Sequence, residues 1–243
     1  MTAIYDSIGL NYAELRKPDA RIASAIMAAV GPCQSVINVG AGTGSYEPTD
    51  RHVMAVEPSI EMIRKRPANA APAIQASAED LPFDEGSFDA AMAILTVHHW
   101  QDKPKGLREL RRVARDKVVL LTFDPASRPW LTDYIPELAL LDEAQMPSIT
   151  EYEKWLGPVQ IEPLPIPYDC SDGFLYAYWR RPQAYLDVRL RSGSSSFWAL
   201  PDVSAGIARL GDELASGEWA RRYANLLECD AYDAGYRLVV TVD

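Results

Sequence analysis

Five short apolar runs divide the first half of the chain, each stopped by small or polar residues: SVINV (35–39), VMAVE (53–57), the start of AIQASAEDLPF (73–83), SFDAAMAIL (87–95) and KVVLLTF (117–123). Runs of this length without strict alternation read as parallel strands buried on both faces. Between them the spacing changes to that of a helix. Ile22, Ile26, Ala29 and Val30 predict a helix over 19–30, with Asp19 as its cap and Gly31-Pro32 as its stop. Ser59 can cap a helix through Met62 and Ile63, and Leu107, Leu110 and Ala114 predict another over 102–115. Strand and helix in alternation predict an α/β fold around a parallel sheet.

From Asp124 the pattern changes. Eight prolines fall in residues 124–168, and aromatic residues replace the clean apolar runs. Helices are expected around 131–142 and 148–156, then VQIEPLPIP as a proline-broken sixth strand in an irregular or edge position. DGFLYAYWRRP (172–182) reads as an aromatic helix that Asp172 can cap. Two more helices are expected, at 202–215 and 217–227, before a final strand in YRLVVTVD. Residues 169–230 thus read as a helical insertion, and 1–168 with 231–243 as the core of a single structural domain.

Chemistry concentrates at the end of the first strand. Gly40, Gly42 and Gly44 follow it, and Glu57 ends the second. Glycine permits positive φ and lets backbone approach a ligand with no Cβ in the way. In open α/β sheets this turn is where nucleotides bind, and an acid ending strand two can accept both hydroxyls of a ribose. Only eight residues, Ser45 to His52, then lead back to strand two, and one of them is Pro48. That is too short for a full crossover helix, so the connection is a loop or a single helical turn. A dinucleotide needs a helix N-terminus beneath its pyrophosphate. A cofactor without phosphates does not, which favours S-adenosylmethionine over a nicotinamide.

The pieces VGAGTG, VEPSIEMI, ASAEDLPF followed by SFD, LTVHHW, and LRELRRVAR leading to VVLLTFD come in one order over roughly residues 1–124. Together they resemble the class I S-adenosylmethionine-dependent methyltransferases. They are most similar to the small-molecule branch that includes the quinone-biosynthesis and trans-aconitate enzymes. The resemblance implies a Rossmann-like three-layer sandwich with a seven-stranded, mostly parallel sheet whose last strand is antiparallel. It implies S-adenosylmethionine as cofactor, a small-molecule acceptor and methyl transfer as the activity. For the cofactor it implies Gly40, Ala41, Gly42 and Gly44 at the first turn, then Glu57, Pro58 and Met62 after strand two. Ser77, Ala78 and Glu79 would meet the adenine, with Ala93 and Ile94 at the end of strand four and Tyr12 and Arg16 in an N-terminal segment that folds over the site. Ser77 stands where relatives often carry Asp, and a hydroxyl accepts the adenine amino group more weakly than a carboxylate.

The same resemblance places LTVHHW beneath the reacting methyl. His98 is therefore the candidate catalytic base, and His98 and His99 are candidate walls of the acceptor site. Adjacent histidines on a strand end point apart and no third ligand is evident, so no metal is expected. Tyr5, Phe123, Trp130, Phe174 and Tyr178 are further acceptor-pocket candidates, as are Tyr134, Cys170 and Trp179. Neighbouring acids Asp169 and Asp172 should raise the Cys170 thiol pKa and make it a poor nucleophile.

Composition narrows the partners. The 243-residue chain carries a net charge of −10, which disfavours nucleic acid. Lys103, Lys105, Arg108, Arg111, Arg112 and Arg115 form a basic run best read as a solvated helix face. No apolar stretch approaches the length of a membrane span and the first residues lack a signal-peptide core, so a cytoplasmic location is expected. Three scattered cysteines (33, 170 and 229) form no disulfide framework. Two other readings remain at this stage: a nicotinamide-dependent oxidoreductase, and a cofactor-binding module that no longer transfers methyl groups.

Overall fold

The structure, a computed structural model, describes residues 15–242. A seven-stranded sheet runs through its centre in the order β3-β2-β1-β4-β5-β9-β6. The strands are β1 (Ser35–Val39), β2 (His52–Val56), β3 (Ala73–Ile74), β4 (Phe88–Ile94), β5 (Ala114–Phe123), β6 (Val159–Pro163) and β9 (Tyr236–Thr241). Neighbours from β3 to β5 pair in parallel, and β9 pairs antiparallel with both β5 and β6. The strand order reverses beside β1, so the glycine turn opens at the topological switch point.

Alternation along the strands sends side chains to two cores. Val36, Ala90, Met92, Val119 and Leu121 face α1 (Ala20–Val30) and the aromatic second half of the chain. Ile37, Val39, Ala91, Ala93, Val118 and Leu120 face the other way. There they meet helix α3 (Lys103–Val113), reached after α2 (Ile60–Arg64), and the further short helix α5 (Glu153–Leu156), which follows α4 (Glu137–Gln145). The helix caps are those the sequence predicts: the Asp19 carboxylate accepts the Arg21 N–H and Ser59 Oγ accepts the Met62 N–H.

No helix forms between β1 and β2. The connection consists of turns, held by a buried ion pair in which Arg66 donates to both Glu47 oxygens at 2.7 and 2.8 Å. Asn38, the polar residue within β1, donates to the same carboxylate.

Several expectations change, among them the helix expected at 148–156, which is a 3-10 turn over Ile149–Glu151 followed by α5. The helix expected at 131–142 is a 3-10 turn over Trp130–Asp133 and then α4, because Pro136 has no N–H and bars helical geometry at the residue before it. β5 begins at Ala114, immediately after α3, rather than at Lys117. The helix expected at 217–227 divides at Tyr223 into Glu218–Arg222 and Ala224–Leu227. The helix expected over 172–182 is absent. Phe174, Leu175, Tyr176, Ala177 and Trp179 are all buried, and consecutive buried residues cannot share the single face of an amphipathic helix. The Asp172 carboxylate, the expected cap, instead binds Arg16 and Tyr46.

A feature the sequence did not suggest closes the insertion at its base. Ile166–Pro167 (β7) and Ala231–Tyr232 (β8) pair as a separate two-stranded sheet, pinning together the two ends of the segment between them.

Candidate functional site

The switch point is a cleft of about 850 Å³. Gly40 and Gly42 lie in its floor with φ of 71° and 54°. Their roles differ. A Cβ on Gly40 would lie 2.0 Å from Thr96 Oγ1, so that glycine lets the first turn pack on the turn after β4. A Cβ on Gly42 would meet only Met62 Cε, at 3.5 Å, so there glycine supplies conformation and bare backbone toward the cleft. Glu57 faces it and is 5% exposed. One carboxylate oxygen accepts the Gly42 N–H at 2.8 Å and the other the Ser59 N–H at 2.9 Å. The carboxylate thus ties the glycine turn to the start of α2 at the edge of the cleft.

Ala41, Pro58, Met62, Ser77, Ala78, Glu79 and Ile94 line the same cleft, as do Arg16, His98 and His99. Gly44 lies instead on a separate groove beside Glu47, and Ala93 points into the core beneath the sheet. One Glu79 carboxylate oxygen accepts the N–H groups of Gln101 and Asp102, shaping the turn at the start of α3. Arg16 meets a carboxylate of the protein itself, Asp172, at 2.6 Å.

His98 and His99 sit on a 3-10 turn, Val97–His99, and not on an extended strand. Their rings therefore lie together, 3.8 Å between centroids, rather than pointing apart. Burial holds the His98 pKa well below the usual histidine range, and the nearby His99, Arg16 and Lys103 add to the shift. Burial likewise lowers His99, to about 4. Both imidazoles are therefore neutral at physiological pH and keep a ring lone pair, while the lowered pKa makes each a weaker base than a free imidazole.

Beyond His98 a smaller cavity opens between β4, β5, α4 and the insertion. Phe123, Phe174, Tyr176, Tyr236, Asp142 and Ser194–Ser196 contribute to its wall. Arg16, Leu95, Thr96, His98 and Gln145 border both cavities and mark where they join. Of the acceptor candidates, Phe123 and Phe174 line this space. Trp130 and Tyr134 do not; they pack with Trp219 and Tyr223 in the core of the insertion. Tyr178 stacks edge-on against Tyr185 outside both cavities, and Trp179 is buried under Tyr232. Cys170 is buried too, and burial is the main cause that raises its thiol pKa to about 12, ahead of Asp19 and Asp172. Tyr5 and Tyr12 lie outside the described residues.

Two residues carry a signal that only the backbone reveals. Tyr46 and Leu95 are the non-glycine residues with positive φ among the described residues, at 63° and 53°, and both line the same cleft. Such strain persists where surrounding contacts over-determine it. For Tyr46 those contacts are explicit: its hydroxyl donates to Asp172 at 2.9 Å and accepts the Asp19 N–H at 3.3 Å.

A family profile described as "Methyltransferase domain" matches residues 37–122, from β1 to the end of β5. A putative methyltransferase from an antibiotic biosynthesis pathway of Anabaena variabilis is 34% identical, with a TM-score of 0.87 over 94% of this chain and 99% of that one. The chain belongs to the class I S-adenosylmethionine-dependent methyltransferases. Among the methyltransferases it resembles is the ubiquinone/menaquinone biosynthesis C-methyltransferase UbiE of Citrifermentans bemidjiense, 30% identical over 115 residues. That match covers 40% of this chain and 49% of the relative, so the chain spans about half the length of the curated relatives it matches. Phosphoethanolamine N-methyltransferase 2 of Haemonchus contortus, solved with S-adenosyl-L-methionine, shares the methyltransferase fold at 16% identity and a TM-score of 0.55, over 99% of this chain and 56% of that one. Among the described residues, no helix of this methyltransferase is long and apolar enough to cross a membrane.

Proposed function

We propose that the protein transfers a methyl group from S-adenosylmethionine to a small-molecule acceptor. The observation that carries this reading is the junction of two cavities at His98, one with a nucleoside seat and the other lined by aromatic side chains. Gly42, Glu57 and Met62 would hold the cofactor, with Ser77 and Ala78 at its base. A buried carboxylate against bare backbone suits a ribose, and the loop at 45–52, which offers no helix N-terminus, suits a ligand without phosphate. When bound, S-adenosylmethionine supplies an electrophilic methyl on a sulfonium, whose sulfur keeps the bonding pair as the methyl leaves.

The protein contributes alignment and dryness, which alone are worth several kcal/mol in displacement chemistry. Neutral His98 would take the proton from an acceptor that must lose one. Residues 169–230 would form the acceptor cap, with Phe174, Tyr176 and Ser194–Ser196 as their contribution. A labelled-methyl assay with S-adenosylmethionine against metabolite extracts, the product identified by mass spectrometry, tests the reading. Transfer to a small molecule supports it. Calorimetry that finds no S-adenosylmethionine binding defeats it.

A further inference from the structure

We propose that the aromatic cavity beyond His98 is an acceptor subsite that selects a small molecule carrying a cationic nitrogen, held by Asp142. The proposal rests on the methyltransferase reading above and adds the chemical class of the acceptor.

The argument begins with buried charge. A carboxylate removed from water needs a cation or a full set of donors. Asp19 is met by Arg21 at 2.7 Å and Asp172 by Arg16 at 2.6 Å. Asp142 is also buried, at 8% exposed against 2% and 1% for those two, yet it is met by the neutral hydroxyl of Tyr176 at 3.0 Å. The nearest guanidinium of influence, Arg128, is engaged with Glu143 and with the carbonyls of Pro125 and Ser127. Burial accordingly raises Asp142 to about 6, which still leaves it ionised at neutral pH. Among the described residues no ion pair forms on this carboxylate, and Arg16, which also borders the cavity, is paired with Asp172.

The surroundings specify what would balance it. Tyr236 sits among Phe174, Phe123 and Tyr176, at ring separations of 4.8, 5.4 and 6.4 Å, and all four rings line the cavity with Asp142. Aromatic faces attract a desolvated cation, and a carboxylate adds charge and direction. A carboxylate or phosphate placed beside Asp142 would meet repulsion, and the Arg16 guanidinium at the junction is already paired with Asp172.

Position separates this handle from the reacting atom. Asp142 borders only the aromatic cavity, whereas Gln145, one turn along α4, borders both. The two positions are about 4.5 Å apart along the helix axis, the rise of three residues, so the carboxylate stands back from the junction. A protonated amine has no lone pair for methylation, so the nucleophile must be another atom, placed at His98.

Three probes of matched shape and different charge test this: benzylamine, benzyl alcohol and phenylacetate. Each is titrated calorimetrically into protein saturated with S-adenosylhomocysteine at neutral pH. Benzylamine is expected to bind about tenfold or more tightly than benzyl alcohol, and phenylacetate most weakly. Asp142→Asn, which keeps an oxygen for the Tyr176 hydroxyl, should erase that order while S-adenosylhomocysteine affinity stays unchanged. The proposal is overturned if benzylamine shows no binding at millimolar concentration, if the alcohol or the acid equals it, or if the order survives Asp142→Asn. Should that variant not fold, the wild-type order alone decides. Failure of S-adenosylhomocysteine to bind would instead defeat the methyltransferase reading, so the two failures are separable.

Discussion

Glu57 offers the sharpest test of the cofactor seat. Its carboxylate makes two short hydrogen bonds to backbone, at 2.8 and 2.9 Å, from Gly42 in the glycine turn and Ser59 at the start of α2. It therefore joins the two loops that form the floor, and in the proposed function it also meets the ribose. Glu57→Ala removes both functions. Loss of charge-assisted bonds to ribose hydroxyls should weaken S-adenosylhomocysteine by about 1.5–3 kcal/mol, roughly 10- to 150-fold in Kd. Two backbone N–H groups are also left short of a partner, at about 1–3 kcal/mol of stability each where water does not replace the carboxylate. Glu57→Gln keeps one carbonyl oxygen and should fall between wild type and Glu57→Ala in both respects. Calorimetry reads the first effect and thermal unfolding the second. A Kd for Glu57→Ala within about twofold of wild type would refute the seat, because charge-assisted bonds to a ligand are worth far more than that.

Four further outcomes are expected. Gly40→Ala should prevent folding, since its Cβ would lie 2.0 Å from Thr96, whereas Gly42→Ala should fold at a cost of about 1–2 kcal/mol for its left-handed backbone; soluble yield and thermal unfolding compare them. Tyr46→Phe should lose about 1–3 kcal/mol, a fall of several degrees in Tm, because Asp172 and the Asp19 N–H both lose a partner. His98→Asn should lower kcat about 100-fold or more for an acceptor that gives up a proton, with S-adenosylmethionine affinity unchanged, and the wild-type rate should show no step near the ordinary histidine pKa of about 6.5, because His98 titrates well below it. Asp142→Asn should raise stability at neutral pH by up to about 3 kcal/mol: the folded pKa of about 6 lies above the ordinary carboxylate value, so the native state binds the extra proton and the wild type loses stability as pH rises through that window. The gain should shrink as pH falls from 6 toward 4 in a thermal series, with the Tyr176 and Tyr236 phenols facing Asp142 uncharged throughout.

The cleft at the glycine turn was legible in the sequence because local rules place it. Apolar runs ending in Gly40 and Glu57 define adjacent strands and the turn between them, and parallel pairing of Val39 with Val56 brings their ends together. The aromatic cavity was not. Asp142 and Tyr176 are 34 residues apart and meet only through packing of α4 against an irregular segment. Tyr176 lies in a run whose composition suits a helix, yet whose neighbours are buried on every side. Trp130 and Phe174 have the same chemistry on paper, but one anchors the insertion and the other lines the cavity. Only the fold separates them. Tyr46 was passed over because a tyrosine in a short polar loop gives no hint of a left-handed backbone or of a buried partner 126 residues away.

That long-range tether bears on any attempt to change acceptor preference by grafting. Asp172 holds the Tyr46 hydroxyl and Arg16, the Ser171 N–H reaches Asp19, and the Gly173 N–H reaches the Leu15 carbonyl, where a Cβ would collide at 2.8 Å. Residues 169–173 therefore tie down the loop after the glycine turn although they lie in the insertion. A chimera cut at the β7 end would discard the latch of that loop, whereas one whose splice falls beyond Gly173 would carry a new pocket and leave that latch closed.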